Sequence, residues 1–417
     1  MPQQAGFVKR IDIDRLRRTM ETLGSIGRDS TCGITRYAFS REDLAARELL
    51  VQMFTEAGLT VRVDAAGNIF GRREGRDSKL PALLTGSHID TVPTGGMFDG
   101  ALGVLAALEC IATLEDLSIE TRHPIEVVSF SDEEGVRFQK GLLGSKAFMG
   151  QPLEAFREAV DIWGTPFDDV LEQAGFDSSR LAEARRQPGT VLAFIELHVE
   201  QGQVLELAGA QVGIVEGIVG IGRLRITFKG TANHAGTTPM ALRKDALLCA
   251  SELVLKVEVI ATEQGAGVVG TVGSLRVNPG VANIVPGLVT LTVEFRALDQ
   301  EVLQRCLRGA LAAARAIAER RDVEMLHEVL VRTEPVRMDE RIRATLEDSA
   351  SHVGASSLTM PSGAGHDAMV IAQGIPTAML FAPSRNGISH SPAEWTEWEH
   401  AAMATEVLLE AVIRMAS

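Results

Sequence analysis

No two cysteines in this sequence stand at the spacing of a CxxC motif. The four (Cys32, Cys110, Cys249 and Cys306) lie far apart, and three of them fall inside apolar helical patterns. That argues against a disulfide framework and reads as buried free thiols in a reducing compartment. Basic charge is also short, with 41 Lys and Arg against 55 Asp and Glu and a formal net charge of -14. This balance disfavours a nucleic-acid backbone or an anionic membrane as the main partner. A small anionic ligand stays open, because a local site can oppose the global charge. The beginning, MPQQAGFVKRIDIDRLRR, lacks the apolar stretch of a secretory leader, and no later run is long enough to cross a bilayer. Cytoplasmic is therefore the expected location. Internal repeats, low-complexity tracts and long Pro- or Ser-rich linkers are missing too.

What is present is a chain of 417 residues, 45% hydrophobic and 23% charged, as in ordinary soluble globular proteins. That length suggests about two or three domains. In the first part, helix and strand patterns alternate. Residues 41–57 have helical spacing and are followed by Gly58, a plausible stop. Strand-like TVRVD, PALLTGSH, PIEVVSFS and TVLAFIELHV follow, with a helical run from Gly103 to Leu117. Short, nearly continuous apolar strands between helices indicate an α/β sheet covered on both faces.

From about residue 218 the strands alternate apolar and polar residues, as half-exposed strands do. The order reads strand 222–229, helix 240–262, strand 267–277, strand 287–297, helix 300–320, strand 323–331, a β-α-β-β-α-β ferredoxin-like pattern. A helix near 340–352, the strand TAMLFAP and a C-terminal helix return to the earlier style. The economical division is a larger α/β domain over 1–217 and 333–417, with a smaller domain inserted at 218–332.

Each strand of the larger domain delivers an imidazole or a carboxylate at its C-terminal end, the edge where open α/β sheets bind ligands. PALLTG runs into Ser87-His88-Ile89-Asp90, PIEVVSFS into Asp132-Glu133-Glu134, TVLAFIEL into His198, and TAMLFAPSRNGIS into His390. Asp99 precedes Gly100 and a helix, where its carboxylate can face the helix N-terminus. Singly, each has a plain structural explanation: a satisfied histidine, a wet glutamate pair, a turn aspartate. Together, at the ends of successive strands, they suit a cation held by imidazoles and carboxylates, Zn2+ first, with Mn2+ or Co2+ as alternatives.

GSHIDTVPTGGMFDG, SFSDEEGVRFQ, IELHVEQG, ANHAGTTPM and GISHSPAE resemble, in order, the motifs of the hydantoinase/carbamoylase family of dinuclear metallopeptidases. That family includes N-carbamoyl-L-amino-acid hydrolases, β-ureidopropionase and allantoate amidohydrolase, and the resemblance runs from about residue 20 to the C-terminus. It implies two divalent ions bridged by Asp99, with His88 and His198 completing one and Glu134 and His390 the other. It further implies that Asp90 orients His88 and that Glu133 is the general base. The inserted domain would act as lid and dimer interface. His234 and Asn283 would meet the oxyanion or the substrate carboxylate, His234 reaching across from a partner subunit. Arg296 would clamp the substrate carboxylate; its competing reading is a cation paired near Glu294.

Gln201 is a candidate contact to the carbamoyl group, and His366 in PSGAGHDAM a substrate-facing or supporting residue. His123, His327, His352 and His400 have no such setting and read as structural. The implied reaction is hydrolysis of the ureido C–N bond of an N-carbamoyl-L-amino acid or of allantoate. The rivals are a dinuclear aminopeptidase or N-acyl deacylase on the same scaffold, and a binding protein that has lost its chemistry.

Overall fold

The computed structural model describes residues 10–417; the first nine, with which the expected 1–217 span begins, lie outside the described residues. The chain divides into two compact units. The larger comprises residues up to Glu216, then Met338–Met360 and Ala364–Ser417. The smaller comprises Gly217–Arg337 and Pro361–Gly363, a tripeptide that the sequence pattern assigns to the larger unit. Within the smaller unit the Arg296 guanidinium donates to the Gly363 carbonyl at 2.6 Å.

A mixed sheet forms the centre of the larger unit. From one edge its strands run Thr60–Val63, Ile69–Arg73, Ile125–Phe130, Ala82–His88, Val191–Val199, Thr377–Ala382 and Val212–Ile218. The four inner strands, from Ile125–Phe130 to Thr377–Ala382, are mutually parallel, and antiparallel strands flank them on both sides. Three of these four are buried along their whole length, which is why they read as continuous apolar runs instead of alternating ones. The helix Ala101–Asp116 is apolar nearly all round and is buried against this sheet, with Trp398–Ala416 packed on it. The chain leaves Ala82–His88 for the strand on one side and later returns on the other. In open α/β sheets such a reversal marks the carboxyl edge of the strands as the place where ligands bind.

The smaller unit is a four-stranded antiparallel sheet in the order Glu324–Thr333, Gly220–Lys229, Leu288–Ala297, Val269–Asn278. The helices Ala246–Thr262 and Gln300–Arg320 pack on one face. Leu224, Ile226, Phe228, Val289, Leu291, Val293 and Phe295 point from alternate positions into their shared core. The first helix begins at Ala246 instead of 240. The Asp245 carboxylate caps it by accepting from the Leu247 and Leu248 amides, and Pro239 leaves only a short 3-10 turn ahead of it. Among the described residues no helix is long and apolar enough to cross a membrane.

Candidate metal centre

The register of the parallel strands determines which side chains meet. His88 ends one strand opposite Phe130, and His198 lies opposite Phe381 on the next pair. The loops Ser131–Glu134, Ile89–Gly100, Glu200–Gln203 and Pro383–Glu394 therefore emerge together on one edge. They bring together His88, Asp99 and His198, and also Asp99, Glu134 and His390; within each group the ligand atoms lie within 4.8 Å of one another. Asp99 belongs to both.

Asp99 Oδ1 lies 3.2 Å from His198 Nε2 and 3.7 Å from His88 Nε2, while Oδ2 lies 3.3 Å from His390 Nε2. Nδ1 of His88 faces the Asp90 carbonyl at 3.1 Å, and Nδ1 of His198 faces the Val199 carbonyl at 2.9 Å. A carbonyl can only accept, so both rings carry a proton on Nδ1 and turn Nε2 toward Asp99. The backbone carbonyl of Asp90 is the nearer partner of His88. The Asp90 carboxylate sits 3.6 Å away and accepts from the Glu133 and Glu134 amides, so it also holds the loop carrying both glutamates. From there the two side chains diverge, Glu133 to 3.7 Å from His88 Nε2 and Glu134 to 3.7 Å from His390 Nε2.

The expected cap at the Ala101 helix takes another form. Gly100 is the N-cap residue and no side chain caps this helix. The Asp99 carboxylate turns instead to its histidines, to the Gln201 amide at 2.7 Å and to the Ser389 hydroxyl at 3.1 Å. Gly100 has a positive φ of 63°, and a Cβ there would meet the His88 ring at 2.5 Å, so the glycine leaves space for the imidazole. Asp132, Gln201 and His390 also have positive φ, of 52°, 58° and 54°. Strained backbone at three loop positions around one cluster is common in functional sites.

Burial alone would raise the Asp99 carboxyl, but hydrogen bonds from His198 and His390 outweigh it and hold the group well below its ordinary range. His198 is pushed down by burial and more strongly up by Asp99, reaching about 9, whereas for His88 burial wins and brings it to about 4. For His88 the Asp99 charge does not offset burial, and the His198 charge lowers it further. Glu133 and Glu134 are raised well above the usual range by burial and then by neighbouring carboxylates. Glu134 Oε1 is buried with no hydrogen-bond partner among the described residues. A buried oxygen without a donor, beside imidazoles that turn Nε2 toward a shared carboxylate, fits divalent cations.

Gln201, expected to face substrate, rests on Asp99 and lies 3.3 Å from His390 Nε2. His366 is buried with its ring 4.5 Å from that of His198. The remaining expected residues lie in the smaller unit. His234 and Asn283 sit together on a two-stranded ribbon, where the Ala235 amide donates to the Asn283 carbonyl. His234 Nδ1 accepts from the Gly236 and Thr237 amides, so its proton resides on an exposed Nε2. Arg296 donates through Nε to Glu294 at 2.8 Å, the pairing its competing reading describes.

Two carboxylates went unnoticed in the sequence. Glu394 is buried and accepts from the Phe98 and Asp99 amides at 3.1 and 3.0 Å and from the Ser389 hydroxyl at 2.9 Å. Glu196, also buried, accepts from the Ser87 hydroxyl at 2.6 Å and the Ala368 amide at 2.8 Å, tying the His88 strand to the His366 loop. Glu394 stands in GISHSPAE and could have been suspected; Glu196 reads only as one more residue of an apolar strand.

The geometry agrees with what the chain resembles. N-carbamoyl-L-amino acid amidohydrolase of Geobacillus stearothermophilus is 42% identical over 97% of this chain and 98% of its own length. Allantoate amidohydrolase of Bacillus subtilis is 35% identical over 95% and 96%. The crystal structure of an amidase of the hydantoinase/carbamoylase family from Burkholderia multivorans superposes with a TM-score of 0.93 at 37% identity, covering 98% of both chains. The model of peptidase family M20/M25/M40 matches residues 84–414, and this chain is a member of that family.

Proposed function

We propose that the protein is a metal-dependent amidohydrolase that cleaves the ureido C–N bond of an N-carbamoyl-L-amino acid or of allantoate, giving an amine-bearing acid and carbamate, which breaks down to carbon dioxide and ammonia. The observation that carries this reading is Asp99 shared between two ligand groups with Glu133 alongside. His88 and His198 would hold one divalent ion and Glu134 and His390 the other, Zn2+ being the best match to this donor set, with Mn2+ or Co2+ as alternatives. Such ions, when bound, acidify water and polarise a carbonyl. Glu133 takes the proton of the attacking water and returns it to the leaving nitrogen, a task suited to a carboxylate whose affinity for protons is raised. Gln201, which rests on Asp99, would also contact the carbamoyl group of the substrate.

The smaller unit, expected over 218–332, serves in this reading as a ferredoxin-like lid. His234 offers its Nε2–H to the developing oxyanion, and Asn283 and Arg296 bind the substrate carboxylate. Its strand Val269–Asn278 is an open edge, and Leu248, Leu255 and Val259 form an exposed stripe on the neighbouring helix; both support a homodimer through this unit. Free thiols, including exposed Cys32, suit a reducing cytoplasmic setting.

Ammonia release from the ureido acids, and newly freed amine from the dipeptide and the acetyl-amino acid, test the proposal. The panel is allantoate, N-carbamoyl-β-alanine, N-carbamoyl derivatives of small and large L-amino acids, a dipeptide and an acetyl-amino acid, each assayed before and after chelation. Turnover confined to ureido acids, lost on chelation and restored by a divalent ion, is expected. Turnover of the dipeptide or acetyl-amino acid alone would establish the rival aminopeptidase or deacylase.

A further inference from the structure

At the amino ends of the parallel strands, away from His88 and His198, the larger unit has a cleft of about 420 Å3. It is walled by the strands Thr60–Val63 and Ile69–Arg73, by the turn Ser78–Pro81 leading into Ala82–His88, and by the segment Glu183–Thr190 leading into Val191–Val199. The length of the strand Ala82–His88, roughly 20 Å at about 3.3 Å per residue, separates this cleft from the metal centre.

The chain as a whole is strongly acidic, yet Arg62, Arg72, Lys79, Arg185 and Arg186 converge here. Beneath them lies Glu126, its side chain only 5% exposed. One of its oxygens accepts from both Arg72 (2.9 Å) and Arg186 (2.8 Å). Arg62 lies over the Phe70 ring at 3.9 Å and acts on the same carboxylate through its charge. Three guanidinium groups thus share one buried negative charge. Glu74 pairs with Arg72, and Glu183 is taken by Arg180, so neither balances the others. Among the described residues no carboxylate ion-pairs with Lys79 or Arg185. Surface cations without partners are ordinary; five gathered from four segments around a shared buried carboxylate are not.

We infer that this cleft binds a phosphoryl-type oxyanion, as inorganic phosphate or as the phosphate of a small metabolite. Guanidinium forks present paired N–H donors that match phosphate oxygens. Donors arriving from four walls suit a tetrahedral anion better than a planar carboxylate. The ligand removes the mutual repulsion of the cluster, and its affinity falls with added salt.

Calorimetric titration of the full-length protein with inorganic phosphate, pyrophosphate and acetate tests this. The variants are Arg62→Gln and the double variant Lys79→Gln/Arg185→Gln; the latter changes two exposed side chains and should leave the fold intact. Saturable binding of phosphate or pyrophosphate but not acetate, weakened about tenfold or more in the double variant, is expected. Pyrophosphate binding while phosphate does not would point to a phosphorylated metabolite as the natural ligand. No saturation by either in the millimolar range, or equal affinity in wild type and both variants, overturns the inference; the latter would locate the anion at another site.

Discussion

Glu133 and Glu134 are chemically identical neighbours that the backbone sends in different directions, one toward His88 and one toward His390. Glu133→Gln should keep its metal content and lose about 10²- to 10⁴-fold in kcat, read by metal analysis beside turnover. Loss of metal with activity retained would mean the two roles are exchanged. Glu394 acts at one remove, by holding the backbone of Asp99. Glu394→Ala leaves the Phe98 and Asp99 amides without their acceptor, a cost of about 1–3 kcal/mol per group. Lower thermal stability and weaker metal retention should follow, whereas Glu394→Gln, which keeps an accepting oxygen, should stay close to wild type. Equal behaviour of the two variants would remove the positioning role. Arg296 uses two of its N–H groups on Glu294 and Gly363, and a guanidinium has about five in all, so donors remain for a substrate carboxylate. Arg296→Lys should raise KM about tenfold or more with thermal stability unchanged; unaltered kinetics would reduce it to the Glu294 pair.

At the scale of the element, the strand Ala82–His88 must lie close to its neighbour to aim His88. Gly86 makes this approach, with φ of 146° and a would-be Cβ 1.9 Å from the Val128 carbonyl oxygen. Gly86→Ala cannot be accommodated without separating the two strands, and should cost about 3 kcal/mol or more in urea unfolding. Gly58, which ends the helix Arg41–Glu56 at φ of 78° with nothing within 4 Å, should lose only about 1–2 kcal/mol on the same change. Similar losses at both positions would mean that backbone conformation, and not strand spacing, governs Gly86.

At the scale of the whole molecule, the smaller unit's open edge strand and its apolar helix stripe are exposed surfaces that a second copy would cover. Leu255 is 66% and Val259 41% exposed, one helical turn apart. Leu255→Glu combined with Val259→Glu should turn a dimer into a folded monomer in light scattering. A monomeric wild-type protein, or a dimer untouched by both changes, would exclude this surface.

The four inner strands and the residues beyond their carboxyl ends were legible in the sequence, because a buried parallel strand must be a short apolar run and polarity returns after it; the flanking strands Ile69–Arg73 and Val212–Ile218 were not. His88, Glu133, Glu134, His198 and His390 could be found on that ground. The smaller unit's alternation was equally plain, since one face of its sheet stays polar. Other features depended on partners remote in sequence. Glu394 matters through amides 295 and 296 residues away, and Glu196 through Ser87 and Ala368. Gln201 lies on Asp99 because its loop bends through a left-handed residue, and the five cations gather because strand order brings together segments more than a hundred residues apart. Local periodicity decided what each element is; only the closing of the sheet decided which charges share a space, because that depends on register and strand order, which no single segment encodes.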